Sequence, residues 1–257
     1  MTTDRAAINL PAAARRPADA WTRDRRFFTG MALAILLTVF VGFAPSYYMK
    51  IVFGAPGVSG APILSPLIHV HGLAFTAWVL VFLVQTRLVA GRRLALHRKL
   101  GYAAAGLAVA MVVLGVMAAV DAARRGSTPP GGPPPLVFLI VPIADMVIFP
   151  ILVGAGMWFR NRGEIHKRLM LVSTIALVTA AIARWPGVIR GGPLVYFALT
   201  DLFVVAAMVY DRRTRGRVHP AYWWGGGGLL ASQAGRLALS GTAAWLAFAT
   251  WLVARTP

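Results

Sequence analysis

The chain has 257 residues, 58% hydrophobic and 13% charged, with 26 Lys and Arg against eight Asp and Glu, a formal net charge of +18. A soluble domain carries roughly a quarter charged residues, so this composition, with mean hydropathy +0.68, excludes a soluble globular protein and predicts an integral membrane one. No cysteine is present, which excludes disulfides, iron–sulfur clusters and thiolate metal sites.

Residues 1–26 are Ala/Arg/Pro-rich and polar and read as a disordered basic cytoplasmic tail, with residues 27–254 as a single transmembrane helical domain. The first apolar run has no small-residue cleavage site after it and is expected to stay as a helix. A crossing takes about 20 mostly apolar residues for a hydrocarbon core of about 30 Å. Seven such stretches follow in order, at about 27–47, 64–90, 100–123, 136–159, 167–185, 193–210 and 224–254. The seventh is long and contains Arg236 and the break Ser240-Gly241-Thr242, so it reads either as one tilted helix or as two short pieces. The predicted fold is all-α, a polytopic helix bundle. The longest loops, 53–63 and the proline-rich 124–135, are expected to be extended or mobile, because proline blocks helix.

The positive charge alternates between loops. Arg15, Arg16, Arg23, Arg25 and Arg26 precede span one, and Arg87, Arg92, Arg93, Arg98 and Lys99 separate spans two and three. Arg160, Arg162, Lys167 and Arg168 separate four and five, and Arg212, Arg213, Arg215 and Arg217 separate six and seven. The opposite loops hold Lys50, Arg124, Arg125, Arg184 and Arg190. By the positive-inside rule this places the N-terminus in the cytoplasm and the C-terminus outside, in a bacterial inner membrane. The charge is a topology signal, and the expected partner is the lipid bilayer, with a membrane-protein partner left open and no nucleic acid. Tyr102, Trp158, Tyr210, Tyr222, Trp223 and Trp224 fall at the same boundary, as an aromatic belt would.

Three cytoplasmic turns place a histidine after a basic cluster: His97 in Leu96-His97-Arg98, His166 in Ile165-His166-Lys167, and His219 in Val218-His219-Pro220. The recurrence suggests a three-fold helical-hairpin repeat after an added first helix. If the three helix starts converge, these imidazoles form a metal site suited to zinc, copper or iron. The neighbouring Arg and Lys repel a cation and instead attract an anion such as a lipid phosphate or a haem propionate. Headgroup contact alone is the plainer alternative.

A second set lies within the spans. His69 and His71 are two residues apart, about 200° around a helix, so if one faces the bundle the other faces the boundary. His71, Phe75, Trp78, Phe82 and Gln85 follow helical spacing and form one stripe, taken as the interior face, with His71 about 8 Å below the outer boundary. Asp145 and Asp201 sit near the middles of spans four and six, and Arg236 and Arg184 in spans seven and five. Charges in hydrocarbon need a partner or a wet cavity. The pairs Asp201–Arg236 and Asp145 with His71 or Arg184 are expected, either as structural locks or as the lining of a site for metal, cofactor or protons. A bis-histidine haem b needs histidines on two helices at one depth, and His71 has none at its level but His69. No P-loop, dinucleotide fingerprint, His-Glu-x-x-His helix or nucleophile elbow occurs.

At His69-Val-His71-Gly72, His97-Arg-Lys-Leu100-Gly101, His166-Lys-Arg-Leu169-Met170 and Gly216-Arg-Val-His219-Pro220, the chain resembles a family of uncharacterised bacterial multi-pass inner-membrane proteins, over most of residues 30–254. The His-Arg-x-Leu-Gly element is also similar to bacterial membrane families linked to haem–copper oxidase assembly. The resemblance implies membrane topology and importance for these histidines, and supplies no substrate.

Three functional readings follow. The first is a buried His/Asp/Arg site binding a metal ion or haem b in a redox-related or cofactor-assembly role. The second is a proton-coupled small-solute transporter that titrates Asp145 and Asp201, with helices broken at Pro142, Pro150 or Gly154/Gly156. The third is a non-catalytic scaffold or assembly subunit.

Overall fold

The computed structural model describes residues 17–49, 64–128, 132–185, 187–188 and 191–255, which are helices and the turns between them. The expectations for residues 1–16, loop 53–63, the centre of the proline run at 129–131, and Lys50 and Arg190 lie outside the described residues.

Helix α1, Pro17–Phe43, runs on into a π-helical turn at Ala44–Tyr48. It starts earlier than the apolar run, so residues 17–26 belong to the first helix and not to a disordered tail. The physical reason is Asp24, whose carboxylate is held by Lys167, Arg215 and Tyr210 at 2.6 Å each. Helix α2, Pro66–Ala90, opens on a Ser65 cap that accepts from the Ile68 N–H, with proline at its first position. Helix α3 is Leu94–Arg124. A single turn, Pro135–Phe138, leads into α4, Ile140–Trp158, which carries Pro150 without breaking.

Helix α5, Gly163–Ala176, is interrupted at Leu177–Val178 and resumes at Thr179–Ile182. The N–H groups of Leu177 and Val178 bond three residues back, and Ser173 and Thr174 both donate to the Met170 carbonyl. Such hydroxyl back-bonds compete with the helix ladder and favour a local bend. Helix α6, Gly192–Arg215, stops at Gly216, whose φ of +74° is the left-handed cap that glycine accommodates. Helix α7, Pro220–Leu239, starts on His219, whose Nδ1 accepts from the Ala221 N–H.

Among the described residues six helical spans are each long and apolar enough to cross a membrane, and α7 with the following helix passes as a seventh only when the two are taken together. That following helix, α8, Ala243–Arg255, is bent 93° from α7. The last stretch is therefore two pieces. Twenty residues of α7 reach about 30 Å by themselves. α8 lies across the ends of α3 and the Pro135–Phe138 turn, where Trp245 Nε1 donates to the Leu136 carbonyl and Arg124 Nε to that of Val253. The chain is a polytopic membrane helical protein.

α5 is the centre of the bundle. It packs against α4, α6 and α7, and its resumed turn against α1. Its apolar stretch has the lowest mean hydropathy of the six, 1.5 against 1.9–2.7, yet 67% of it is buried, against 17–39% elsewhere. The inversion is what a bilayer imposes: a helix facing lipid must be apolar, while one surrounded by protein carries the hydroxyls of Ser173, Thr174 and Thr179 at no cost in hydrocarbon. The stripe predicted along α2 is interior at Trp78 and Phe82; Trp78 stacks edge-on against Phe149 and its Nε1 donates to Thr174. Tyr102, Trp158, Trp223 and Trp224 are exposed, as a belt requires. Tyr222 is buried, and Tyr210 stacks on Phe27 and bonds Asp24, so these two are packing residues.

Candidate functional site

A cavity of about 330 Å³ is lined by residues at helix ends, Tyr48, Ser65 and Ser127 among them, and by Asp145. Three irregular backbone segments meet on its wall. The π-turn contributes Ser46, Tyr47 and Tyr48; the interruption of α5 contributes Leu177 and Thr179; the turn before α4 contributes Phe138. Departures from regular α-helix at membrane depth are tolerated where they line a cavity or are buried in protein. At the mouth, Tyr47 donates to the His69 carbonyl and lies against Gly72, where a Cβ would come within 2.7 Å of its ring. Tyr48 shares a 2.8 Å hydrogen bond with Thr76, and Thr76 donates to the Gly72 carbonyl.

Asp145 is buried on this wall and pairs with Arg236 NH1 at 2.7 Å. Arg236 has other partners: Ser232 Oγ accepts from Nε and NH2 at 3.2 and 3.0 Å, the Val141 carbonyl lies at 3.4 Å, and the Phe197 ring is 5.6 Å away. The guanidinium thus has anchors other than Asp145. The expected partnership of Arg236 with Asp201 is not formed. Asp201, half-buried, accepts from Gln233 Nε2 at 3.0 Å and is not among the cavity's lining residues. Helix rotation decides this: three residues apart on α7, Gln233 and Arg236 each meet a carboxylate on a different helix.

Arg184 and His71 also line the cavity. Neither pairs with Asp145. Arg184 donates from NH1 to the Ala180 carbonyl of its own turn and sits 4.6 Å from the Phe43 ring centre; among the described residues it has no carboxylate partner. The His71 ring lies 4.2 Å from that of Phe75, tilted against it, and its buried Nδ1 finds no hydrogen-bond partner among the described residues. His69 is exposed, so it leaves the buried site predicted to contain it. Gln85 leaves it too. About four turns along α2 from His71, its Nε2 donates to the His97 carbonyl at 3.2 Å.

The three basic-end histidines do not converge. His97 and His166 have ring centres 6.1 Å apart, and His166 Nδ1 is 2.8 Å from the Gly156 carbonyl. His219 is committed to capping α7, and burial, then the charge of Arg168, push its imidazole below the ordinary value. Among the described residues no group of three or more His, Cys, Asp or Glu is placed to hold a metal ion. The three-histidine metal site is therefore corrected to a pair and a cap.

What the sequence reading passed over is a charge network at that end. Arg168 and Asp211, each with a fully buried side chain, form a two-pronged pair at 2.8 and 2.6 Å. Glu164 bridges Arg168, Lys167 and Arg215, and Arg215 reaches Asp24. Counting arginines for topology hid the pair. The i, i+4 spacing of Glu164 and Arg168 was the available signal.

No protein-family model matches the chain, and no curated protein or solved structure matches it.

Proposed function

We propose that the protein is a membrane carrier for a small solute, with the cavity as its outward-facing site and Asp145 as its proton-sensitive group. The observation that supports this reading is the meeting of the α5 interruption, the π-turn that ends α1 and the turn that leads into α4 around one cavity lined by a buried carboxylate. Transporters build such sites from discontinuous helices near the middle of the bilayer. The interruption falls in α5, α1 and the approach to α4, and not at Pro150 or the Gly154/Gly156 pair. Asp145 carries the coupling alone, since Asp201 lies off the cavity. Placement in an inner membrane with the start of α1 in the cytoplasm follows the arginine distribution; the cavity mouth then faces outward.

The test is proton flux into proteoliposomes loaded with a pH-sensitive dye, on addition of a panel of small acids, amines and sugars. At least one solute carries protons with the native protein. D145N stops that flux while the fold survives, and D201N does not. Flux untouched in D145N, or absent for the whole panel, removes the reading.

A second reading, haem b ligated by one histidine, draws on His71 Nδ1, which has no hydrogen-bond partner among the described residues, in an aromatic-lined cavity. Purified protein without Soret absorption, before and after haem addition, ends it. The resemblance to bacterial inner-membrane families with oxidase-assembly members is consistent with either reading. A scaffold role predicts neither flux nor absorption.

A further inference from the structure

The charges on the cavity wall do not cancel. Asp145 is neutralised by Arg236, and Arg125 by Asp121 at 2.8 Å. Arg184 remains, its charge unmatched by any carboxylate among the described residues. A single uncompensated cation beside apolar walls is costly, and an anion entering the cavity relieves that cost. The guanidinium is also oriented. The Phe43 ring covers one face at 4.6 Å and NH1 is tied to the Ala180 carbonyl, while its other N–H groups make no hydrogen bond among the described residues. A planar fork held this way suits a carboxylate or phosphate oxygen pair. Around it the wall is mainly apolar, with Phe43, Phe75, Val79, Val141, Met146 and Leu177. A volume of about 330 Å³ is at the small end for ligand sites.

We propose that the cavity takes a small monoanion with an apolar body, its head group held by Arg184. This rests on the carrier reading for its biological meaning, but its test does not. Benzoate and the isosteric neutral benzamide are the probes, titrated by calorimetry and by thermal unfolding into purified protein in a nonionic detergent. Benzoate binds saturably, and benzamide at least about tenfold more weakly, since a charge-assisted pair in a dry site contributes more than about 1.4 kcal/mol. R184Q brings benzoate down to the benzamide level; R184K, which keeps the charge but not the fork, falls between. Equal binding of the two probes by the native protein overturns the proposal without recourse to any variant. So does undiminished benzoate binding in R184Q.

An anionic lipid offers the same chemistry, so the titration is repeated in nanodiscs of phosphatidylcholine with and without phosphatidylglycerol. Competition by phosphatidylglycerol that vanishes in R184Q assigns the head group to a lipid; its absence assigns a free solute, and both confirm the anion class. Proton flux separates the two readings. Neutral solutes that carry protons while benzoate fails to bind overturn the anion and leave the carrier. Benzoate binding with no solute-driven flux confirms the anion and removes the carrier.

Discussion

Two buried arginine–aspartate pairs hold this bundle, and they are built differently. Arg168–Asp211 is two-pronged, fully buried, and continuous with Glu164, Lys167, Asp24 and Arg215 at the basic end of the helices. Arg236–Asp145 has a single ionic contact; its arginine is secured by neutral groups and its aspartate forms part of a cavity wall. The first pair ties α5 to α6 and, through Asp24, to α1. The second leaves a carboxylate on a cavity wall, paired to an arginine that has neutral partners as well. Burial alone does not tell a staple from a working group. The number and kind of the other partners does.

The largest expected effect breaks the staple. D211N or R168M breaks the fully buried two-pronged contact, leaving Arg168 with only Glu164 or Asp211 with only the more distant Arg215, and costs up to about 3–5 kcal/mol, while the joint replacement R168M/D211L recovers much of the loss; reversible unfolding in detergent micelles measures both. D145N comes next, at about 1–3 kcal/mol, because Arg236 keeps Ser232 and the Val141 carbonyl. A loss in D145N greater than in D211N, in the same assay, would erase the distinction between the pairs.

Third is the cap on α7. H219A removes an N-cap acceptor, worth about 1 kcal/mol, which H219N retains. Burial and the charges of Arg168 and Arg215, against those of Asp211 and Glu164, hold the His219 pKa below its ordinary value. The stability from neutral His219 is therefore fully present above pH about 6.5 and is lost as pH falls through the lowered folded value. Melting temperatures from pH 7.5 to 5 show this dependence in the native protein and a shallower one in H219N. The smallest effect is Q233L, about 0.6 kcal/mol, the average for interhelical side-chain hydrogen bonds in membranes; Asp201 is half-buried and takes water in exchange.

Much of the fold was legible because a bilayer imposes a one-dimensional rule. Long apolar runs bounded by arginines gave the spans, and helical spacing on α2 picked out Trp78 and Phe82 as interior. The start of α1 was not legible, since residues 17–26 are polar and are held by contacts from Asp24 to α5 and α6, far away in sequence. In the site, His71, Asp145, Arg184 and Arg236 were named from the cost of polar groups in hydrocarbon. Their partners were not, and His69, Gln85 and Asp201 fell outside the cavity: Gln85 shares the face of His71 but lies too far along α2, and the rotation of α6 that turns Asp201 toward Gln233 is not written in its own segment.

The sequence by itself determined that the chain is a helical membrane protein, which stretches cross, and where its unusual charges lie, because transfer from water to hydrocarbon depends on the residues of one segment. Tertiary structure decided which charge meets which. It put α5, the least apolar span, at the centre, turned α8 through 93°, separated His219 from His97 and His166, and left Arg184 without a carboxylate partner among the described residues. These outcomes depend on how each helix is rotated against its neighbours, and a rotation of one residue, about 100°, exchanges every partner while leaving the hydropathy of the segment unchanged.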